Sequence, residues 1–337
     1  MNNNLPNIDT LFYALAQRNL VYNSDFRYFS NADPTTSGSP DGWQYNDDGA
    51  AGSIELKNQT LQILTSNDDK SMMTFCQAVS EFPRWEQAIQ NQKVTATVDL
   101  EMTATAEVTL FFDDGVNQES QSWKPNKDDK TTLSFTFHAS ASASQLVIGI
   151  RCSANAAIIT LHSFYANKGE VAIATLPGMV TGVIGEQKQY IATQNAPAED
   201  LSLCNASIEL TQHQTRLDTV LNGRFGRGKN NRSLLPRTSG YFMRAWDNGA
   251  NIDPNSADRT PLGSNSKIAG DKVGSVQPDE LIQHKHDIAY APDELSPSGN
   301  TKPITPITEL KKGSTEDFGG KETRPKNIYC LFTIKWA

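Results

Sequence analysis

The sequence has little of what marks an enzyme, a membrane protein or a nucleic-acid binder. Histidine is scarce, with five in 337 residues. No G-x-S-x-G, P-loop, H-E-x-x-H or dinucleotide fingerprint is present, so no common catalytic motif is legible. No apolar run approaches the roughly 20 residues of a membrane span, which argues against insertion. The opening Met1-Asn2-Asn3-Asn4-Leu5-Pro6 lacks the basic and apolar regions of a secretory signal, so none is expected. Positive charge is short as well: 30 Lys+Arg against 38 Asp+Glu, a net −8. That balance excludes a generic nucleic-acid binder. The four cysteines, Cys76, Cys152, Cys204 and Cys330, show no C-x-x-C or metal-type spacing. They read as free thiols of a protein made in the cytoplasm, with a Cys76–Cys152 pairing left open.

What is present is strand pattern. The chain is rich in Asn, Thr, Ser and Ala, with ordinary aromatic content at 8%. Short apolar runs recur between turn signals over residues 20–167: Ser53–Leu56, Thr60–Leu64, Met72–Ala78, Val94–Thr103, Glu107–Phe112, Thr131–His138, Gln145–Arg151 and Ala157–Phe164. Val94, Ala96, Val98 and Leu100 alternate with polar residues, as half-buried strands require. The expected fold is mainly β: a jelly-roll-like β-sandwich over 20–167, then a small helical/β connector over 168–221, then a turn-rich domain over 222–337. Residues 1–19 form a separate segment. In the connector, Val180–Tyr190 reads as a hairpin and Ala206–Leu221 as a helix with an incomplete apolar stripe.

Charge is uneven. Residues 1–167 carry 10 Lys+Arg against 19 Asp+Glu, and residues 168–337 carry 20 against 19. Arg224, Arg227, Lys229, Arg232 and Arg237 form a basic stretch without an acid. Such a stretch is a solvated loop, or a contact for an anionic glycan or a neighbouring chain.

The opening Asn23-Ser24-Asp25-Phe26 with the later Gly42-Trp43 loosely resembles carbohydrate-binding β-sandwich modules. Such modules stack aromatic faces on sugar rings and bond hydroxyls with nearby amides and carboxylates. Trp43, Tyr45, Trp85 and Trp123 are the candidate ligand-binding aromatics, with core packing as the competing use. Asp113-Asp114-Gly115 is a turn signal first and a calcium ligand second. Asp113-Asp114 and Glu199-Asp200 are the paired acids of turn-like sequence, and glycan hydrolysis needs two carboxylates at a set separation.

Three ordered blocks end the chain. They are Leu235-Pro236-Arg237 with Gly240-Tyr241-Phe242-Met243-Arg244-Ala245-Trp246-Asp247-Asn248-Gly249 and Asp253-Pro254, then His284-Lys285-His286, then Glu322-Thr323-Arg324-Pro325-Lys326-Asn327. In kind, order and spacing they resemble the C-terminal part of tail-fibre and tail-collar proteins of contractile-tailed phages and related injection systems. The resemblance covers roughly residues 215–337. The flanks Gln283 and Asp287 depart from that family's usual pattern around the histidine pair.

The resemblance implies a homotrimer with a receptor-contacting tip near Ala289–Asp317. Tyr290, Lys302, Lys311 and Lys312 are the candidate contacts there. It also implies docking of the N-terminal region on a baseplate or fibre-network protein. In a strand, His284 and His286 project to one side. Nitrogen ligands suit iron, zinc, nickel or cobalt, and the resemblance implies that three copies bring six imidazoles to the three-fold axis around a structural metal, iron or zinc first. A closed site of that kind has no open position for catalysis. The expected function is receptor binding on a virion or injection particle: made in the cytoplasm, acting outside the cell, and not an enzyme. The alternatives are a glycan-degrading spike, or a baseplate or collar component without receptor contact.

Overall fold

In the computed structural model the described residues are 17–279 apart from 31–37, 49–51, 59, 68–70, 154, 206 and 264, together with 289–290, 311–312 and 327–337. The chain is mainly β. It divides into two compact units, one of residues 1–275 with 330–337 and one of 276–329. No unit boundary falls at 167/168 or 221/222.

The first unit opens with two antiparallel five-stranded sheets. One runs in the order β1 (Gln44–Asn46), β4 (Met73–Ala78), β9 (Val147–Cys152), β6 (Val108–Asp113), β7 (Gln118–Trp123). The other runs β2 (Ser53–Lys57), β3 (Thr60–Leu64), β10 (Ile158–Lys168), β5 (Lys93–Met102), β8 (Thr131–His138). From β3 to β6 and again from β7 to β10 successive strands alternate between the sheets, as in a jelly roll, while β6 and β7 form a hairpin within one sheet. A short helix α1 (Trp85–Ile89) links β4 to β5.

Period-2 patterning positions both sheets. Val94, Ala96, Val98, Leu100 and Met102 of β5 all face the core, opposed by Met73 and Phe75 of β4 and Ile148 and Ile150 of β9. Each fully buried large aliphatic or aromatic side chain contributes about 1.5–3 kcal/mol relative to exposure. Eight of the strand readings hold to within a few residues at each end. The strands missed are β1 and β7. The β7 sequence Gln-Glu-Ser-Gln-Ser-Trp is polar on both faces because β7 is an exposed edge strand, so no alternation marks it.

The Asn-Ser-Asp-Phe and Gly-Trp motifs prove to be the sandwich's closing staple. The Asn23 Nδ2 donates to the carbonyls of Tyr28 (2.8 Å) and Asp41 (3.1 Å), and its Oδ1 accepts from Tyr28 N at 3.0 Å. Asn23 and Phe26 both sit at positive φ, 54° and 58°, which the staple holds in place. Trp43 is 0% exposed, stacked on Phe75 with ring centroids 4.5 Å apart and tilted against Phe26 and Phe164. Its indole N–H donates to Asn23 O at 3.2 Å.

The rest of the first unit is built differently. A three-stranded sheet has the order β11 (Gln187–Tyr190), β17 (Leu331–Lys335), β12 (Asp200–Ser202). The last strand, β17, lies between β11 and β12, so β11 pairs with it and not within a Val180–Tyr190 hairpin. The helix α2 covers only Thr215–Leu221, not Ala206–Leu221. Upstream the chain is extended, since Glu209 bridges Leu234 and Leu210 N donates to Ser233 O at 3.0 Å. A second small core gathers Tyr22, Ile184, Leu203, Leu210, Leu217, Leu221, Leu235 and Ile334.

One buried hydrogen-bonded contact between charged residues ties α2 to the sandwich. The Glu81 carboxylate, in the β4–α1 link, accepts from Thr215 N and Thr215 Oγ1, each at 2.6 Å, and from Arg216 N at 2.8 Å. It thus satisfies the free N–H groups at the start of α2. Arg216 is fully buried and donates to the carbonyls of Leu20 (2.9 Å) and Glu81 (3.3 Å). Burial raises the Glu81 carboxyl above its usual range, opposed by the Arg216 charge, and burial pulls the guanidinium down to about 10.

Beyond the 3-10 turn at Ser256–Asp258 lie two-residue strands β13 (Thr260–Pro261) and β14 (Ser275–Val276). In the second unit β15 (Ala289–Tyr290) pairs antiparallel with β16 (Lys311–Lys312), Tyr290 opposite Lys311.

Candidate functional site

The register of the first sheet generates an ordered outward face. Inward residues are fixed by the core: Phe75, Ile150, Leu110 and their neighbours at i±2. Their alternates must point out. One cross-strand row reads Asn46, Thr74, Arg151, Thr109, Ser122, and the next reads Gln44, Cys76, Gly149, Phe111, Ser120. Asp113 and Gln118 continue the face below Phe111 and Ser120.

At the middle of this face the Arg151 guanidinium lies 4.0 Å from the Phe111 ring centroid. Phe111 points outward yet is only 4% exposed, because the guanidinium roofs it. Gly149 lies opposite Cys76 and Phe111 in the next row, close against β4. A Cβ there would stand 2.4 Å from Phe75 O and 2.5 Å from Cys76 Cβ, so the position admits no side chain. Burial pushes the Cys76 thiol up to about 11, the Arg151 charge opposing, so at neutral pH the thiol is uncharged. Among the described residues no hydrogen bond or ion pair takes up the guanidinium. Amides, hydroxyls and a planar cation around an aromatic ring are what hydroxyl-rich ligands bind.

The four aromatics expected to bind ligand do not share one surface. Trp43 is core. Tyr45 and Trp123 lie on strand positions that face inward, and both pack half-buried on the main core, as does Trp85 of α1. Sequence could not separate these uses, because a tryptophan in a strand reads the same on either face. Phe111 and Arg151 were missed because each lies in an alternating strand whose in–out register the core alone decides. His284, His286 and Lys302 lie outside the described residues. Tyr290, Lys311 and Lys312 are placed only as paired backbone.

The paired acids are engaged within the fold, Asp113 and Asp114 at a turn and Asp200 in the three-stranded sheet. Asp114 is buried, its Oδ1 accepting from Val116 N (2.8 Å) and Asn117 N (2.6 Å) and its Oδ2 from Ser140 N at 2.8 Å. Asp113 accepts from Gly115 N and Gln118 Nε2, each at 2.8 Å. Asp200 accepts from Lys188 Nζ, Tyr190 Oη and Thr333 Oγ1, each at 3.0 Å. Among the described residues no group of three or more His, Cys, Asp and Glu side chains could hold a metal ion. No disulfide joins the four cysteines: Cys76 points out of its sheet and Cys152 into the core. No helix among the described residues is long and apolar enough to cross a membrane.

A cavity of about 470 Å³ lies beside the Asn23–Tyr28 stretch and the 174–182 segment. Its polar groups are largely engaged: Asn19 and Asn23 hold backbone, and Arg27 pairs with Asp25.

The Gly240–Asp253 block is organised by carboxylates. The Asp247 carboxylate accepts from the backbone N–H groups of Asn251, Ile252 and Asp253, all at 2.9 Å. Asp271 accepts from Gly249 N at 2.8 Å, and its carbonyl accepts from the Trp246 indole at 3.2 Å. Asp253 is paired with Arg259 (3.1 Å) and Arg244 (3.5 Å). The apolar side chains of the block are outside: Phe242 is 61% exposed, Trp246 52% and Ile252 78%. In the basic stretch, Arg224 donates to Val273 O and Arg227 to Asn231 O.

No family model matches the chain. Protein RhiB of Rhizobium leguminosarum bv. viciae is 32% identical over 146 residues, which are 41% of this chain and 65% of RhiB, so the chain spans less than two thirds of that relative. Among solved structures, TmCBM61 in complex with β-1,4-galactotriose aligns over 45% of this chain and 99% of its own (TM-score 0.33, 14% identity). A family 29 carbohydrate-binding module aligns over 45% and 87% (TM-score 0.28, 11% identity). The enzymatically active domain of bacteriophage CBA120 tailspike protein 4 aligns over 44% and 21% (TM-score 0.32, 12% identity). Likeness at this level fixes nothing about what this chain binds.

Proposed function

We propose that this chain is a glycan-recognising protein of the tail-fibre type, binding cell-surface saccharide through its β-sandwich and working as a homotrimer. The observation that carries the glycan reading is the outward face of the first sheet, where Arg151 over Phe111 is surrounded by amides and hydroxyls. Weak single contacts of that kind gain strength when three copies act together.

Self-association is supported by Tyr241, Phe242, Met243, Trp246 and Ile252, which stand exposed among the described residues. The axial metal on His284 and His286, iron or zinc, the receptor tip near 289–317 and the N-terminal docking segment rest on the sequence resemblance. In this reading a particle carries the protein out of the cytoplasm, and the protein has no catalytic role.

The test is native mass with metal analysis, beside a glycan array. Three chains with one metal, lost in a His284→Ala/His286→Ala variant, supports the fibre. A metal-free monomer sinks it. Release of reducing ends from a bound polysaccharide would favour a degrading spike instead.

A further inference from the structure

Resting on the glycan reading, we propose that the sandwich selects an acidic saccharide, and that the Arg151 guanidinium receives the carboxylate of a uronic or sialic acid residue. Arg151 is half-buried at the centre of the face and braced by the Phe111 ring at 4.0 Å. A stacked guanidinium has lost much of its rotamer freedom before binding, and its planar fork matches a carboxylate with two parallel N–H···O bonds.

Among the described residues no carboxylate forms an ion pair or hydrogen bond with Arg151. Its cross-strand neighbours Thr74 and Thr109 are neutral. Asp113, on the same face, already accepts from Gly115 N, Gln118 Nε2 and Gln145 Nε2. The sandwich is acidic in sum, yet Glu55, Asp99 and Glu101 face outward on the opposite sheet. Their charges lie across the core from Arg151, and at physiological salt the screening length is about 8 Å. A half-buried cation that has the Phe111 ring but no carboxylate among the described residues gains most from a ligand anion. The neutral row around it, Gln44, Asn46, Ser120 and Ser122, is suited to the hydroxyls of the same sugar or the next one.

The experiment uses the full chain with polygalacturonate, hyaluronate and α2,8-linked oligosialate, the methyl esters of each, and neutral xylan and galactan. Calorimetry or surface binding reads the affinity. The expected result is binding to at least one free acid, loss of about tenfold or more on esterification, and a similar loss in Arg151→Gln. Arg151→Lys, which keeps the charge and loses the fork, should recover only part. The ester comparison needs no variant, so it stands even if Arg151→Gln fails to fold. Neutral glycans bound as well as acids, or esters bound as well as free acids, would overturn the acidic selectivity and leave glycan recognition standing. No binding to any saccharide would overturn both.

Discussion

The two halves of the first unit differ in how they dispose of large side chains. The sandwich hides them: Trp43, Phe75, Phe112, Phe137 and Phe164 are all fully buried. The stretch from Gly240 to Gly274 shows them: Phe242, Trp246, Ile252 and Val273 are each more than half exposed. The first half is held by apolar burial and strand ladders. The second is held by carboxylates that gather backbone N–H groups, as Asp247 and Asp271 do. A region of the first kind is complete as one chain. A region of the second kind has a surface that another chain can finish.

Substitutions can break this contrast, beginning with the largest effect. Trp43→Ala should cost about 3–5 kcal/mol, because it empties a ring-packed site in the sandwich; urea unfolding would measure it. Glu81→Ala should cost about as much, by leaving the fully buried Arg216 without its counter-charge. A Glu81→Leu/Arg216→Met double variant should recover much of that loss. If the single variant unfolds no earlier than wild type, the contact between α2 and the sandwich is not the tie argued above.

Gly149→Ala should cost about 1–3 kcal/mol, since the added methyl meets Phe75 O and Cys76 Cβ at contact-violating distance. It should also weaken glycan binding by shifting Arg151. By contrast, Phe242→Ser with Ile252→Ser should change the unfolding free energy of the single chain by less than about 0.5 kcal/mol. The same pair should lower the native mass. An unchanged trimer would mean that the exposed block serves something other than self-association.

The smallest effect is one of pH. Backbone hydrogen bonds from Asp253, and then from Ile252 and Asn251, hold the Asp247 carboxyl below the usual aspartate value of 3.8. A depressed carboxyl contributes stability that is present above its unfolded value and lost as pH falls through its folded one. Protection of the Asn251, Ile252 and Asp253 amides, measured against the intrinsic exchange rate at each pH, should therefore hold above the usual aspartate value of 3.8 and fall only as pH drops below it. In Asp247→Ala it should be low at every pH, while the strands of the sandwich stay protected.

Legibility followed the same divide. Alternation made most sandwich strands visible, because a half-buried strand must repeat every two residues. It failed at β7, where neither face is buried, and at the Ala206–Leu221 helix, where Glu209 is drawn into the Gly228–Arg232 loop, accepting from Asn230 N at 2.8 Å. The motif Asn23-Ser24-Asp25-Phe26 with Gly42-Trp43 was visible as a unit, but its use as a core staple was not. A tryptophan's burial depends on the partners brought to it from β4 and β10, and those lie far off in sequence.

By itself, then, the sequence determined that this is a mainly β chain with a sandwich of alternating strands ahead of a turn-rich C-terminal part, because period-2 patterning and turn chemistry are local properties. Only the tertiary structure decided which face of each strand is outward. That choice sent Trp43 inside and set Arg151 over Phe111 on the surface. In–out register is fixed by the mutual burial of two sheets, and no single strand carries that information.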